Sequence, residues 1–475
     1  MKTSSRHAVV VGSSVAGLAS ARALYPYFDH ITLLERDVAP HLREFRKGAP
    51  QGRHPHILLK GGENVLEEGF PGLRQELIGL GGLEINIGSD MDWNMFGQWR
   101  QCFRSALTTV ACSRPLLETT LYRRVAALPK VTLLHGREVV GLQTDESRGR
   151  VTGLLVRERQ SAGIARLDAD LVVDASGRDS DAPNWLTELG YQPPSETVVT
   201  ARAGYATRIY NLAPEMMRQF RAVYIQPNAP SNTRGCVMLP MEGNRVHLTL
   251  IGMGGDYPPT GEAEFLEFAR SLTSPRPYEF IRSAQPASDI WGFRRADNRL
   301  RAYDKLPRYL DGLVVIGDAV FAPNPVYGQG MTIAALASQI LGRCLKQQEE
   351  SRPEDPIPGL ARLFQKQLAR VVEGPWQMAT GEDRRWPVGG AMAIPDLPTR
   401  IMQAYVGRLL RVSLTNVMVA ESFSRVQQML DGPQALFHPR LLWALLTTSL
   451  PSDPPQKRLL TTELIQNMAG LSMER

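Results

Sequence analysis

Two short segments, far apart in the chain, contain the residues with the clearest chemical meaning. The first is the run from Gly12 to Gly17, which is followed by the acidic residue Glu35. This is the spacing of the dinucleotide-binding fingerprint, in which a glycine-rich turn faces a pyrophosphate and an acid accepts hydrogen bonds from a ribose. The run therefore predicts a nucleotide site, without distinguishing NAD from FAD.

Each residue of the first segment has its own task. Gly12 permits a tight turn, Gly17 lets the following helix pack close to the strand, and Ser14 replaces the middle glycine of the fingerprint. The N-terminus of that helix presents unpaired N–H groups and a partial positive charge to the pyrophosphate. The residues that we expect to line this half of the site are Gly12, Ser14, Ala16, Gly17, Glu35 and Arg36.

The second segment decides between the two cofactors. An apolar run ends at Gly317-Asp318, and a loop rich in glycine and proline then leads through Gly330 into a second helix. Asp318 is placed to hydrogen-bond a polyol such as a ribityl chain, and the helix would aim its positive end at the flavin N1–C2=O region. NAD enzymes have no use for such an element, so we predict FAD. The residues expected to contact FAD here are Gly317, Asp318, Pro325, Gly328, Gln329, Gly330 and Met331.

With both segments, the chain resembles the single-component FAD-dependent monooxygenases of the aromatic-hydroxylase type over residues 7–345. Gly317-Asp318 matches the GD motif of that family, and Pro325 to Gly330 matches its PxxGQG segment. The resemblance implies that Arg114, at the start of a helix, contacts the flavin. It also implies that Val139 belongs to the segment beside the adenine.

A strand that ends at Asp174 is similar to the DG motif of the family, which bridges FAD and the nicotinamide nucleotide, except that Ala175 replaces the glycine. We therefore expect NADPH or NADH as the electron donor, acting directly or through a separate flavin reductase. A purely structural role for Asp174 and Arg178 is the alternative.

The segment from Arg46 to His56 narrows the resemblance to the bacterial squalene-epoxidase-like epoxidases of polyether and polyketide pathways. The resemblance implies an arginine near FAD in this loop, for which Arg46, Lys47 and Arg53 are the candidates. His54 and His56 have no nearby carboxylate or third ligand in the sequence, so no metal site is predicted.

The resemblance implies insertion of one oxygen atom from O2, through a flavin C4a-hydroperoxide, into a lipophilic polyketide or isoprenoid. Alkene epoxidation is the leading expectation, and aromatic hydroxylation by the same fold is the alternative. A flavin-dependent double-bond reductase and a non-catalytic FAD-binding partner are alternatives of other classes. Because the cofactor carries such chemistry, no catalytic side chain is assigned.

The elements that must position these residues alternate between buried strands and helices. Apolar, β-branched runs at Ala8–Val11, Ile31–Leu34 and Leu171–Val173 predict buried parallel strands. Helices are expected at Leu18–Leu24 and from Met331 to Leu345. The predicted fold class is therefore α/β, with a Rossmann-like FAD-binding domain, a β-sheet substrate domain and a C-terminal helical segment.

The FAD-binding domain is expected to be discontinuous, over residues 1–89, 104–199 and 296–348. Residues 90–103 and 200–295 are assigned to a substrate domain whose strands cover the flavin face, and residues 349–475 to the C-terminal helical region. The expected substrate contacts are apolar or aromatic side chains that suit a pocket wall. They are Trp93, Phe96, Trp99, Tyr205 and Trp291.

Composition narrows the partners and the compartment. The net charge of +6 comes from 54 Lys and Arg against 48 Asp and Glu, a small excess that predicts no nucleic-acid partner. The four cysteines are far apart, which fits a reducing cytoplasm. No run approaches the roughly 20 apolar residues that span a bilayer. The helix expected over Thr399–Leu430 is amphipathic, and we expect it to pack on its own protein, with a membrane surface as the less favoured alternative.

Overall fold

The computed structural model describes residues 5–37, 50–159, 163–387 and 396–450. In chain order the strands are β1 (His7–Val11), β2 (His30–Glu35), β3 (Leu83–Asn86), β4 (Met91–Met95), β5 (Gln98–Trp99), β6 (Thr108–Ala111), β7 (Val131–His135), β8 (Arg137–Thr144), β9 (Val151–Glu158), β10 (Ile164–Asp168), β11 (Leu171–Asp174), β12 (Glu196–Val199), β13 (Gly204–Asn211), β14 (Ala222–Ile225), β15 (Arg234–Met241), β16 (Arg245–Gly252), β17 (Gln285–Pro286), β18 (Trp291–Phe293), β19 (Asn298–Arg301), β20 (Leu313–Val315) and β21 (Phe321–Ala322). The helices are α1 (Val15–Leu24), α2 (Lys60–Gly69), α3 (Leu73–Gly79), α4 (Arg114–Ala126), α5 (Ala182–Glu188), α6 (Pro214–Gln219), α7 (Glu262–Arg270), α8 (Arg276–Ser283), α9 (Gly330–Ser351), α10 (Leu360–Asp383), α11 (Leu397–Val412), α12 (Val417–Gln427) and α13 (Pro439–Thr447).

A parallel sheet in the order β20-β11-β1-β2-β7 forms the nucleotide-binding half. Ala8, Val9 and Val10 of β1 are fully buried, as expected of a central parallel strand covered on both faces. The carboxyl ends of β1, β2, β11 and β20 lie at one edge, which is where ligands bind in open parallel sheets. The predicted α/β fold class is confirmed.

A second, larger sheet has the order β17-β13-β16-β15-β14-β4-β5, with β18 also paired to β13. The hairpin of β4 and β5 joins this sheet through a parallel pairing of Met91–Asn94 with Ala222–Ile225. One face packs under α7 and α8, where Tyr210, Phe265 and Phe280 share a core. The opposite face points toward the nucleotide-binding half, because Tyr205 and Thr207 make hydrogen bonds with residues of that half.

Three smaller sheets complete the architecture. β8, β9 and β10 form an antiparallel sheet beside the nucleotide-binding half, and β12, β19 and β21 form another. β3 pairs with β6. Through β19 and β21 the chain returns from the large sheet to the parallel sheet, so both sheets contribute to the region between them.

The C-terminal region differs from the sequence expectation in one respect. The single helix expected over Thr399–Leu430 is two helices, α11 and α12. The side chain of Asn416 accepts a hydrogen bond from Val419 N at 3.2 Å and so caps α12 at a new N-terminus. Asparagine is among the best N-cap residues, which explains why the amphipathic pattern is interrupted there.

Helices α11 to α13 pack partly on the large sheet and partly on one another. Leu410 and Leu414 share a buried cluster with Trp93 and Met95 of β4. Other apolar side chains of these helices are exposed, among them Ile401, Trp443 and Leu446. No helix in the described ranges is both long and apolar enough to cross a membrane.

Candidate flavin and substrate site

The turn between β1 and α1 requires glycine at the first and last positions of the fingerprint, Gly12 and Gly17. Gly12 has a φ of 100°, and a Cβ there would lie 2.6 Å from the carbonyl oxygen of Ala175. A Cβ on Gly17 would lie 1.8 Å from the carbonyl oxygen of Gly12. Ser14 is the N-cap of α1 but makes no capping hydrogen bond with its side chain. The first-turn N–H groups therefore face the sheet edge without a side-chain acceptor, which fits a pyrophosphate.

Glu35 closes this turn from the end of β2. It is buried, and its carboxylate accepts hydrogen bonds from Ser13 N at 3.0 Å, from Ser13 Oγ at 2.7 Å and from Asp37 N at 3.0 Å. Glu35 thus holds the fingerprint turn in place, and its contact with a ribose stays a prediction. Arg36, the next residue, is exposed.

Gly317 brings the two glycine-containing segments together. Its φ is 66°, and a Cβ at this position would lie 2.9 Å from the Cβ of Ala16 in α1. Asp318 follows immediately and lies near the start of α9, since a Cβ on Gly330 would be 3.7 Å from Asp318 Oδ1. Among the described residues, Asp318 accepts no hydrogen bond, and burial raises the pKa of its carboxyl while the charges of Arg114 and Arg178 lower it. A half-buried carboxylate without a hydrogen-bond partner in the described ranges fits a ligand hydroxyl.

Arg114 lies on the opposite wall, at the first turn of α4. Ser113 caps this helix by accepting a hydrogen bond from Leu116 N at 3.1 Å. Ser113 N in turn donates to the buried carboxylate of Glu242 at 2.9 Å, which ties α4 to the hairpin of β15 and β16. Arg114 donates from Nη1 to His56 Nε2 at 3.2 Å and from Nε to Glu118 at 2.9 Å.

A hydrogen-bonded chain runs from Arg114 to the large sheet. His56 Nδ1 and the carbonyl oxygen of His54 are 2.9 Å apart, and His54 Nδ1 lies 2.7 Å from Thr207 Oγ1 on β13. Thr207 Oγ1 is bonded in turn to Thr249 Oγ1 on β16 at 2.6 Å. Burial, with a smaller effect of the charge on Arg53, lowers the pKa of His54 to about 4, so the imidazole is neutral near pH 7.

Tyr205 lies beside this chain on the same face of the sheet. Its hydroxyl donates to Asn324 Oδ1 at 2.6 Å, and its ring stacks on Phe293 with centroids 6.2 Å apart. Trp386, which follows α10, is buried in the same cluster, and its indole nitrogen has no hydrogen-bond partner among the described residues. Trp291 lies at the edge, where the Arg53 guanidinium sits 5.5 Å from its ring centroid.

The three aromatic residues predicted between 90 and 103 do not share one environment. Trp93 contacts the rings of Tyr224 and Phe423, with centroids 5.5 and 6.0 Å away. Phe96 lies in the β4–β5 turn under the guanidinium of Arg411. Trp99 instead belongs to the core beneath α7 and α8, with the Arg276 guanidinium 4.1 Å from its ring centroid. The structure therefore places Trp99 on the far face of the sheet from His54 and Tyr205.

The contacts of Asp174 and Arg178 fit the structural alternative, and a contact of Asp174 with FAD stays a prediction. Asp174 is fully buried and accepts hydrogen bonds from Ser176 N at 3.0 Å and from the hydroxyl groups of Ser176 and Ser180. Arg178 is bound to Asp297 at 2.8 Å. Both side chains are occupied by protein partners.

The other predicted contacts are distributed around the same region. Val139 is buried on β8, and Arg53 is exposed beside Trp291. Gly328 has a φ of 66°, and Oε1 of the buried Gln329 has no hydrogen-bond partner in the described ranges. Pro325 is exposed and Met331 is buried at the start of α9. Arg46 and Lys47 lie outside the described residues.

Several polar residues at this site were not predicted from the sequence. Thr207, Thr249 and Asn324 lie within strands or loops whose sequences show no motif for them, and Asp383 belongs to a helix of the C-terminal region. His54 is part of a His-Pro-His run, a pattern that raises only the question of a metal ligand. A search for polar residues on the inward face of an alternating strand would have found Thr207 and Thr249.

Comparison with known proteins places the chain in a family. No family model matches it. Protein Rv3254 of Mycobacterium tuberculosis is 31% identical over 439 residues, which cover 90% of this chain and 90% of that protein. The chain belongs to the family of protein Rv3254.

Solved structures show which fold this Rv3254-family chain shares. The flavoprotein/dehydrogenase from Cytophaga hutchinsonii matches with a TM-score of 0.63 at 12% identity, over 98% of this chain and 99% of that one. PqsL of Pseudomonas aeruginosa, a probable FAD-dependent monooxygenase, matches with a TM-score of 0.58 at 16% identity, over 80% of this chain and 98% of that one. The tetrameric form of 2-methyl-3-hydroxypyridine-5-carboxylic acid oxygenase matches with a TM-score of 0.57 at 16% identity, over 90% and 98% of the two chains. At these identities the shared feature is the fold, which is that of the FAD-dependent monooxygenases.

Proposed function

We propose that this protein is an FAD-dependent monooxygenase that hydroxylates an aromatic ring bearing a hydroxyl or amino group. The observation that carries the proposal is the hydrogen-bonded chain His54–Thr207–Thr249 on the inner face of the large sheet. An alkene epoxidase benefits from a dry, apolar cavity over its flavin, whereas a hydroxylase gains from an acceptor or relay beside the ring.

The residues at the sheet edge suit FAD. The uncapped N-terminus of α1 would receive the pyrophosphate, Asp318 would hold a ribityl hydroxyl, and the N-terminus of α9 would face the pyrimidine edge of the flavin. Arg114 would add a positive charge from α4. When bound and reduced by NADPH or NADH, FAD activates O2 and supplies one oxygen atom to an electron-rich carbon.

His54 is the residue to which we assign the polar substrate group. Its Nδ1 is bonded to Thr207, and its Nε2 makes no hydrogen bond within the described part of the chain. Burial keeps the imidazole neutral down to about pH 4. In the tautomer that we propose, Nδ1–H donates to Thr207 Oγ1, which leaves Nε2 as an acceptor over the whole physiological range. A hydrogen bond from a substrate hydroxyl to Nε2 would orient the ring and raise its electron density. Thr207 and Thr249 fix the imidazole in the orientation that this requires.

The walls beside His54 are aromatic. Tyr205 and Trp386 belong to one buried cluster on this face, and Phe293 and Tyr224 pack against it. Flat apolar surfaces of this kind suit a lipophilic ring system with few polar groups. The names of two structural relatives agree with a ring-containing substrate: PqsL has been solved with 2-aminobenzoylacetate, and the oxygenase above is named for a hydroxypyridine.

Alkene epoxidation is the second candidate. The apolar cluster of Trp93, Met95, Leu410 and Leu414 favours it, because such a cluster could line a cavity for a long polyketide or isoprenoid. A separate flavin reductase remains part of both candidates as an alternative to direct reduction by NADPH or NADH.

The test is substrate-dependent oxygen uptake by the flavin-loaded protein, with NADPH, NADH or a flavin reductase as the source of electrons. Phenols, anilines and non-aromatic polyenes would be compared, and the products of 18O2 incubations analysed by mass spectrometry. We expect one labelled oxygen on an aromatic ring and loss of that activity in His54→Gln. Label in an epoxide would establish the second candidate, and a protein that retains no FAD would overturn both.

A further inference from the structure

Asp383, the last residue of α10, is a fully buried carboxylate surrounded by neutral donors. Its Oδ2 accepts hydrogen bonds from Asn298 Nδ2 at 2.6 Å and from Asn324 Nδ2 at 3.1 Å, and its Oδ1 accepts one from the hydroxyl of Tyr327. No Lys or Arg of the described ranges forms a salt bridge with it. Among the described residues, the Asp383 carboxylate is therefore stabilised by hydrogen bonds from neutral groups and by no salt bridge.

The donors connect three parts of the molecule. Asn298 begins β19, whereas Asn324 and Tyr327 belong to the loop between β21 and α9 that precedes Gly330. The backbone N–H of Asn324 also donates to Asn298 Oδ1 at 2.8 Å, which fixes the orientation of the Asn298 side-chain amide. Through Asn324 Oδ1, which accepts from Tyr205, the network extends to the large sheet.

The network matches the ionised form of Asp383. Three N–H or O–H groups point at its two oxygens, and a protonated carboxyl would have to replace one of them or turn away. Burying a carboxylate without a cation costs free energy, so a side chain needed only for packing would be better apolar or an amide. A charge kept at such a cost indicates a role beyond packing.

The charged and titratable groups around Asp383 are few. Glu382 lies next to it on α10 and is paired with Arg385 at 2.8 Å, and Tyr327 and Tyr205 face it from the loop and from β13. Asn298 presents an amide from β19. The pKa of Asp383 is raised to about 6. Burial is the main cause and the charge of Glu382 adds to it, while the three hydrogen bonds oppose the shift.

We propose that Asp383 is a positioning residue of the oxidative site: its carboxylate holds the 323–330 loop through Asn324 and Tyr327, and so fixes Tyr205 against the substrate. The inference rests on the proposed function, since this loop is where flavin and substrate would meet. It also gives the C-terminal region a task, because α10 supplies the group that orders a loop of the nucleotide-binding half.

The central experiment compares the pH dependence of kcat and of kcat/KM between pH 5 and 9 in the parent protein, Asp383→Asn, Tyr327→Phe and Glu382→Gln. In the parent, activity should fall about tenfold per pH unit once Asp383 is protonated. Asp383→Asn should lose this acidic limb and work at a lower plateau. Tyr327→Phe should move the limb to higher pH because one donor is lost, and Glu382→Gln to lower pH because a neighbouring negative charge is lost. An Asp383 that merely supports the fold would lower activity in Asp383→Asn without changing the limb.

A second readout separates this inference from the proposed function. Thermal unfolding of the flavin-free protein should show Asp383→Asn gaining stability over the parent as the pH rises from 5 to 8, whatever reaction the protein catalyses. If FAD binds and turnover occurs but Asp383→Asn keeps the acidic limb of the parent, the positioning role is wrong. If no flavin binds, the proposed function fails. If the stability difference between Asp383→Asn and the parent does not change with pH, Asp383 is not ionised in the folded protein and the positioning role is wrong as well. If Asp383→Asn does not fold, the test rests on the acidic limb of the pH profile, which should move to higher pH in Tyr327→Phe and to lower pH in Glu382→Gln. A limb that stays in place in both variants would contradict the positioning role.

Discussion

Gly317 and Ala16 lie so close together that a Cβ on Gly317 would be only 2.9 Å from the Cβ of Ala16. This approach joins the two glycine-containing segments, one after β1 and one after β20, into a single edge. Any side chain at position 317 would also have to adopt a φ of 66°, which is costly for all residues except glycine. Gly317 is therefore, like Gly12 and Gly17, a position of the proposed flavin site that requires glycine.

Gly317→Ala tests this requirement. We expect a loss of about 1–3 kcal/mol in the free energy of unfolding and a marked loss of FAD retention. Gly136→Ala is the matched control, because Gly136 has a φ of 65° but no atom within 4 Å of its hypothetical Cβ. Denaturant unfolding and the flavin absorbance after gel filtration would be measured for both. Equal FAD retention in the two variants would show that the approach of Gly317 to Ala16 is not needed for FAD binding.

Arg114→Ala and Asp318→Ala should each weaken FAD binding. Each removes a charge-assisted contact worth about 1.5–3 kcal/mol, which at the upper end exceeds a hundredfold in the dissociation constant. Arg123→Ala serves as the control, since Arg123 is exposed on the same helix as Arg114. Fluorescence titration of the apoprotein with FAD gives the constants. Unchanged affinity in both site variants would mean that the flavin contacts lie elsewhere.

Thr207→Val should lower kcat more than it changes the stability of the fold. The substitution preserves the shape of the side chain but removes the hydrogen bonds to His54 and Thr249, so the imidazole is no longer held toward the substrate. We expect a loss on the order of 100-fold, the lower bound for a positioned acid–base group. Thr197→Val, at an exposed position of β12, is the control. A Thr207→Val variant with parental kcat would exclude the His54 chain from the reaction.

Asp383 should make stability depend on pH. Its pKa is about 6 in the folded protein against an ordinary 3.8, so the folded state binds the proton more tightly than the unfolded state does. The stability linked to this proton is complete below pH 3.8 and is lost as the pH rises through 6, by about 3 kcal/mol in total. Asp383→Asn cannot ionise, so its stability relative to the parent should rise by up to about 3 kcal/mol between pH 4 and pH 8. Urea unfolding at both values would measure this, and a larger gain at pH 4 would contradict the assignment.

The nucleotide-binding half could be predicted from the sequence because its signals are local. A buried parallel strand appears as a continuous β-branched run, and a turn that allows no Cβ appears as glycine. Gly12, Gly17 and Gly317 were recognised for this reason, and the structure places them at one edge of the parallel sheet. The α/β class followed from the order of these elements along the chain.

The inner face of the large sheet could not be predicted in the same way. Its polar residues come from segments far apart in the chain, and each is unremarkable in its own sequence context: His54 precedes α2, Thr207 lies on β13, and Asp383 ends α10. Only strand register and the packing of α10 bring these side chains within hydrogen-bonding distance. The sequence analysis likewise grouped Trp93 with Trp99. In the structure Trp99 pairs with Asn94, the residue after Trp93, so the two tryptophans point to opposite faces of the sheet.

What the sequence determined by itself is thus the backbone chemistry of the nucleotide edge, because the absence of a side chain is a property of a single residue. Tertiary structure alone decided which polar groups meet on the opposite side, because a hydrogen bond is a property of two residues and of the distance between them. The change from an expected epoxidase to a proposed hydroxylase follows from that second kind of information, through the bond between His54 and Thr207.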